Sequence, residues 1–311
     1  MNNKPTIIKL PIQSFCFGVR NAIKKTNNVL SNDAASKPLS MLGEVVHNKY
    51  VSEYFENQGI TVYKEGTRLE MLDNIKDGTV IITAHGVSDQ VKDKINSLGL
   101  STVDTTCPFV SNSIKLIKKY LSLDYTIIYI GSKNHPESET AVSFGKKVIL
   151  ISSIDEAKKL KTNADKLIVT NQTTMSMFDI QDIIDCLKAK YPHLEAMEKV
   201  CSASIERQKM VMETAKQHQN NPTTAFIVIG DKFSHNTKKL ADIILEYNTN
   251  VYLVESISDL PLKQVKQYKT IYLASGTSTP NCIIEEIYTV LNSDLDIDQY
   301  TSKLNIDEYV K

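Results

Sequence analysis

Arginine is scarce in this chain of 311 residues. Only Arg20, Arg68 and Arg207 stand among its 36 basic residues, so bidentate guanidinium forks are not the main device of any anion site it carries. An excess charge of either sign is missing as well, because 36 Lys and Arg are matched by 36 Asp and Glu. Proteins that hold nucleic acid by phosphate neutralisation normally carry a positive field, and that class is set aside. No apolar run approaches the roughly 20 residues needed to span a bilayer. The opening stretch MNNKPTIIKLPIQ lacks the apolar core of a secretion signal, so no membrane association is expected. The five cysteines are too few and too unevenly paired for a secreted disulfide framework, which points to a reducing, cytoplasmic setting. Also absent are the CxxC and HxxxH spacings of zinc fingers, a complete GxGxxG dinucleotide fingerprint and a flavin motif.

What is present is ordinary globular composition, 41% hydrophobic and 23% charged, enough for a sizeable core. Short β-branched runs alternate with helix-period stretches. Strand candidates fall at 38–42, 60–63, 79–84, 125–130, 147–151, 166–170, 225–229, 250–254 and 270–275. They are apolar on both faces, as parallel strands buried between helices must be. In the stretch 110–121, Val110, Ile114, Ile117 and Leu121 line one face, as in an amphipathic helix. The fold class expected is α/β with small parallel sheets.

Length alone suggests about two domains, but the spacing of residues suggests three units. Cys16, Cys107 and Cys201 stand 91 and 94 residues apart, the differences 107 − 16 and 201 − 107. Each is followed by a strand ending in glycine: Gly43, Gly131 and Gly230. Four residues past each glycine come His47, His135 and Ser234; six past, Lys49, Glu137 and Asn236. A second polar loop then follows in each third, TAHGVS, TNQTTMS and ASGTSTP, containing His85, Thr173 and Ser278. The expected organisation is a first α/β unit over 1–105, a second over 106–199, a third over 200–290 and a C-terminal tail over 291–311. Ligands of parallel α/β sheets gather at the carboxyl ends of the strands. Three pseudo-threefold-related units would direct these loops and cysteines at one centre.

Each of the three spaced cysteines lies where a loop meets a helix, a place that favours thiolate. Pro108 follows Cys107 as at a first helical position, and Asp104, Thr105 and Thr106 supply capping chemistry. Cys186 and Cys282 lie inside helical patterns and read as small packing residues. Three thiolates fit a shared metal site. Zinc would want a fourth ligand or a water, whereas a [4Fe–4S] cluster on three thiolates leaves one iron open as a Lewis acid.

The segments FCFGVRNAI, GEVVHN, TAHGVS, DTTCP, GSKNHPE, NQTT, the Cys201-to-Gln208 stretch, SHN at 234–236 and SGTSTP resemble, in order and over nearly the whole chain, the IspH/LytB family of 4-hydroxy-3-methylbut-2-enyl diphosphate reductases. That resemblance implies a reductive dehydroxylation closing the non-mevalonate isoprenoid pathway, with isopentenyl and dimethylallyl diphosphates as products. It implies that Cys16, Cys107 and Cys201 hold a [4Fe–4S] cluster whose open iron takes the substrate hydroxyl. Glu137 would be the proton donor, and Thr173 would bind the hydroxyl and position Glu137. His135 would be a diphosphate contact or part of the proton path. His47, His85, Ser234, Asn236 and Ser278 would bind the diphosphate. Imidazoles, hydroxyls, amides and backbone N–H groups at helix starts can do this without arginine. Electrons would come from a partner such as ferredoxin or flavodoxin.

The chain departs from the family pattern in two places. GDKFSHN carries Asp231, Phe233 and His235 where small or amide residues are commoner; Asp231 would repel phosphate if it faced the ligand, and His235 would add a contact. Ile205 and Glu206 follow Cys201 where threonine and asparagine or arginine are commoner, a change that would bear on the entrance or the product ratio. Two other classes remain open: a cluster protein that senses iron or oxygen, and a zinc-dependent phosphohydrolase. Glu137 and Thr173 weigh against the sensor, which has no use for a proton donor.

Overall fold

The computed structural model describes residues 4–198, 200–293, 305, 306 and 310. In chain order the elements are β1 (Thr6–Lys9), α1 (Phe17–Leu30), β2 (Leu39–Leu42), α2 (Lys49–Asn57), β3 (Ile60–Tyr63), α3 (Arg68–Leu72), β4 (Thr79–Ile82), α4 (Asp89–Ser97) and β5 (Ser101–Asp104). They continue with α5 (Pro108–Ser122), β6 (Thr126–Ile130), α6 (Pro136–Val142), β7 (Val148–Ile151), α7 (Ile154–Lys159), β8 (Leu167–Asn171), α8 (Met177–Lys190) and β9 (Glu195–Ala196). The last third holds α9 (Ser202–Gln217), β10 (Thr224–Ile229), α10 (His235–Leu245), β11 (Val251–Val254), α11 (Leu262–Val265), β12 (Thr270–Ser275) and α12 (Asn281–Asn292).

The strands form three four-stranded sheets with orders β3-β2-β4-β5, β7-β6-β8-β9 and β11-β10-β12-β1. Every pairing is parallel. Counted along each repeat, the order is the same in all three sheets: second, first, third, fourth. The fourth strand of the last sheet is β1, from the beginning of the chain, paired Thr6 to Thr270 through Lys9 to Leu273. The expected α/β class with small parallel sheets is therefore what the chain adopts, but β1 lies in the third sheet and outside the expected first unit. The packing divides the chain into two compact units. One comprises Met1–Arg20, His47–Tyr54 and Ser202–Lys311, with the β11-β10-β12-β1 sheet; the other comprises Asn21–Val46 and Phe55–Cys201, with the two remaining sheets. Of the expected tail, only 291–293, 305, 306 and 310 are among the described residues.

Burial explains which strands the hydrophobic pattern reveals. β2, β4, β8 and β10 are buried along their whole length and β6 from its second residue on, and all appear as apolar runs. The edge strands β1, β5 and β9 are exposed or half-buried and leave no such run, so the sequence offers no signal for them. On β10, Ile227 and Ile229 pack against α12 residues Ile283, Ile284 and Ile287. Phe226 and Val228, on the opposite face, pack against Val211 of α9 and Leu240 and Ile244 of α10. This is the two-residue period of a strand covered on both sides. In the second sheet Ile128, Ile130 and Val169 meet α8, while Ile127, Tyr129 and Ile168 meet α5. In the first sheet, Leu42, Val80 and Ile82 pack on α3 and α4. Cys282 sits inside one of these clusters and Cys186 against another, consistent with packing roles.

Candidate functional site

Each sheet ends in the same hydrogen-bonded frame. The glycine after the first strand donates its N–H to the last residue of the neighbouring strand: Gly43 to Tyr63, Gly131 to Ile151 and Gly230 to Val254, at 2.8, 3.0 and 2.9 Å. The loop then turns into a helix. His135 is the N-cap of α6 and Ser234 the N-cap of α10. A Ser N-cap of this kind stabilises a helix by about 1 kcal/mol. In the first sheet the helix starts one residue later, and Asn48, which follows His47, accepts the N–H groups of Tyr50 and Val51. His47, aligned with His135 and Ser234 by spacing, is thus one residue out of structural register with them.

The three cysteines share a frame of their own. Each follows the fourth strand of a sheet and immediately precedes or caps a helix. Each donates its backbone N–H to the same position in the second polar loop: Cys16 to Thr277 at 3.0 Å, Cys107 to Ala84 at 2.9 Å and Cys201 to Thr173 at 2.9 Å. Cys107 is the N-cap of α5 with Pro108 next to it. Cys16 and Cys107 are half-buried, Cys201 is buried, and none of the five cysteines is in a disulfide. The frame equates Thr173 with Ala84 and Thr277, so the spacing match of Thr173 with His85 and Ser278 is also out by one.

In the unit formed by Asn21–Val46 and Phe55–Cys201, the candidates form a connected series. Glu137, 5% exposed, lies in the first turn of α6. Its Oε2 accepts the backbone N–H of Thr173 and its Oε1 accepts the Thr173 hydroxyl, both at 2.9 Å. The N–H of Glu137 donates to Nδ1 of His135 at 3.2 Å, which leaves Nε2 as the donor side of a neutral His135 ring. That ring lies edge-on to His85, centroids 5.6 Å apart. The peptide before His85 belongs to Ala84, which takes the Cys107 N–H. Two thiols, two imidazoles, a carboxyl and a hydroxyl are thereby linked through Cys201, Thr173, Glu137, His135, His85, Ala84 and Cys107. Gln172 fixes the loop that carries Thr173: its Oε1 accepts the Ser132 N–H and its Nε2 donates to the Thr174 hydroxyl. Leaving a buried polar group without its partner costs about 1–3 kcal/mol, and more when the group is charged like a carboxylate. The charge of Glu137, after burial itself, helps hold the Tyr129 phenol well above its ordinary range.

In the other unit, Asn236 occupies in α10 the helix position that Glu137 occupies in α6. Its Oδ1 accepts the Thr277 N–H at 3.1 Å and its Nδ2 donates to Ser204 Oγ. Ser278 donates to the carbonyl of His47 at 2.8 Å. Cys16, Thr277, Asn236, Ser278 and His47 are thus joined within that unit. Asp231 is turned onto its own loop: its Oδ1 accepts the Phe233 N–H at 2.6 Å. Phe233 points out, 81% exposed. Burial, followed by the charges of Lys239, Lys238 and His47, lowers the pKa of His235 against the weaker opposing pull of Asp242, so it is a neutral imidazole near pH 7. Nearby, Lys49 pairs with Glu255 at 3.1 Å, and this bond raises the lysine's pKa. Arg68 donates to the Leu42 carbonyl and occupies the space beside Gly43, whose φ of +84° and missing side chain permit it. Burial lowers its pKa to about 10, so it stays charged.

Asn48, Thr277, Gln172 and the carbonyl of Ala84 have no chemical label in the sequence. They are found only through the main-chain bonds they make.

The class is now defined: three like parallel sheets, each presenting a cysteine and two polar loops. Residues 7–292 match the family model described as LytB protein, and the chain belongs to that family. It is 39% identical over 287 residues to the 4-hydroxy-3-methylbut-2-enyl diphosphate reductase of Bacillus velezensis, covering 92% of this chain and 90% of the relative. It is 38% identical to the enzyme of that name in Bacillus subtilis, over 92% and 90% of the two chains. Among solved structures, the E-1-hydroxy-2-methyl-but-2-enyl-4-diphosphate reductase of Plasmodium falciparum superposes with a TM-score of 0.85 at 26% identity, over 94% of this chain and 89% of that one. A second, described as the terminal enzyme of the non-mevalonate pathway, gives 0.62 at 26% identity, over 92% and 98%. Among the described residues no helix is long and apolar enough to cross a membrane.

Proposed function

We propose that this chain is a 4-hydroxy-3-methylbut-2-enyl diphosphate reductase, removing the allylic hydroxyl as water with two electrons and two protons. The products are isopentenyl and dimethylallyl diphosphates. The observation that carries the reading is the single residue Thr173, which grips both oxygens of buried Glu137 and accepts the N–H of Cys201. An acid is thereby built into the same loop frame as a thiol, an arrangement a sensor does not need.

Cys16, Cys107 and Cys201 would hold a [4Fe–4S] cluster with one iron left without a protein thiolate. Three disulfide-free thiols, each with its backbone held in an equivalent frame, fit that group. The cluster, when bound, supplies the electrons and Lewis acidity at the leaving oxygen. The remaining work falls to side chains. Glu137 carries the proton that lets hydroxide leave as water, and Thr173 holds the carboxyl in place and binds the substrate hydroxyl. His135, with Nδ1 turned to the Glu137 N–H, offers Nε2–H to the diphosphate or the proton path. His47, His85, Ser234, Asn236 and Ser278 bind the diphosphate, helped by the N-termini of α6 and α10. Electrons arrive from an external carrier of the ferredoxin or flavodoxin kind, in the cytoplasm.

The test is anaerobic turnover of the hydroxylated diphosphate with a chemical reductant and product identification. The protein should be brown, with a broad visible absorption, and should release both products. A colourless, zinc-loaded protein of full activity would overturn the cluster; brown protein without turnover would overturn the reductase.

A further inference from the structure

Arg207 is one of the largest buried side chains among the described residues, at 2% exposure. A guanidinium taken out of water must have its donors met. Lying in α9, it donates from Nη2 to the carbonyls of Ser14 and Gln13, at 2.5 and 3.2 Å, and from Nη1 to Ala203 of its own helix at 3.3 Å. Gln13 and Ser14 lead directly into Cys16.

That approach is unusual backbone. Ser14 has φ of +63°, a left-handed conformation that a side-chain-bearing residue keeps only where its surroundings over-determine it. The surroundings do so here. Ser14 N–H donates to Ser275 Oγ at 2.8 Å, Gln13 Nε2 donates to the carbonyls of Leu10 and Leu273, and Cys16 N–H is held by Thr277. The Ser14 and Gln13 carbonyls are taken by Arg207. Cys107 is approached differently, through local Thr and Asp chemistry. Thr105 donates its hydroxyl to Ile82 O, and Asp104 accepts the Thr106 N–H. Nη2 alone meets the two successive carbonyls while Nη1 is anchored on Ala203, so the planar guanidinium ties the turn to α9; a lysine ammonium, a single nitrogen on a flexible stem, does not make both connections.

We propose that Arg207 is the positioning residue of Cys16: by clasping the carbonyls of Gln13 and Ser14 it holds the left-handed turn that presents the Cys16 thiolate for ligation. The proposal rests on the reading of Cys16 as a cluster ligand. Arg207 acts through the turn, so strain in the turn and loss of the guanidinium anchor have the same consequence. Relief of the strain offsets the loss.

The experiment follows iron release to a chelator from reduced, anaerobic holoprotein, with the electron paramagnetic resonance spectrum and thermal midpoint recorded alongside. Arg207→Lys and Arg207→Gln should lose iron about tenfold faster, the scale on which groups supporting a metal ligand act, with an altered spectrum. Adding Ser14→Gly to Arg207→Lys should slow release again, because glycine adopts positive φ without a steric penalty. Ser14→Val, which strains the turn and leaves the guanidinium in place, should also speed release; it serves if the Arg207 variants do not fold. Wild-type release from the Arg207 variants or from Ser14→Val overturns the proposal. So does faster release that merely tracks a lower thermal midpoint and does not respond to Ser14→Gly. Cys16→Ser should fail to retain the cluster. If it keeps wild-type iron and spectrum, the ligand assignment itself is wrong and the proposal falls with it, an outcome distinct from losing iron in Cys16→Ser but not in Arg207→Lys.

Discussion

The loop after β6 and the loop after β10 share one hydrogen-bonded frame and place different functional groups at its shared acceptor position. In both, the residue two places past the N-cap accepts the N–H of a threonine in the second polar loop, and that threonine's carbonyl accepts the N–H of a cysteine. In the first case the acceptor is Glu137 and in the second Asn236. The carboxyl can hold and release a proton; the amide cannot, but it presents a neutral donor and acceptor without repelling phosphate. Repetition supplies the scaffold, and under the proposed function single side chains divide the labour: one loop for proton delivery, its counterpart for the anion.

Exchanging those groups tests the division. Glu137→Gln makes the second loop resemble the third; turnover should fall by about 10² or more, the scale of a general acid. Cluster content and substrate affinity should stay unchanged. Steady-state kinetics with iron analysis decides, and undiminished turnover would remove Glu137 from the proton path. Asn236→Asp makes the third loop resemble the second and sets a negative charge toward the diphosphate. KM should rise about tenfold, equivalent to ~1.4 kcal/mol, with kcat little changed; an unaltered KM would show that Asn236 does not face the anion.

The smallest effect belongs to His235, which has no counterpart in the loop after β6. Its pKa in the folded chain lies below the ordinary 6.5, so between the two values the unfolded chain binds more protons. Stability should therefore fall as pH drops through 6.5 toward the lowered value and level off below it. Denaturant unfolding of His235→Asn should lack that portion of the pH dependence. An identical profile in both proteins would refute the assignment.

Much of this was legible from residues alone. Cys16, Cys107 and Cys201 recur at similar spacing, Glu137 and Thr173 are chemically distinctive, and the four wholly buried strands, with β6 buried beyond its first residue, announce themselves as apolar runs. Spacing failed where the chain had shifted by a residue. The helix after Gly43 begins one place later, with Asn48 capping it, and Thr173 answers to Ala84 and Thr277 in the frame rather than to His85 and Ser278. Counting residues from a glycine cannot detect such a shift, because the frame is set by which N–H meets which carbonyl. The orientation of Asp231 was likewise open until its carboxylate was seen to close its own turn.

The sequence by itself determined the α/β class, the threefold recurrence and the identity of the reactive groups, since these follow from hydrophobic periodicity and side-chain chemistry. Only the tertiary structure decided that β1 completes the third sheet, and that Arg207, one of three arginines, is spent on main-chain carbonyls. The physical reason is that both depend on hydrogen bonds between segments about 200 or more residues apart. Edge pairing and backbone clasping leave no mark on the local pattern of apolar and polar residues.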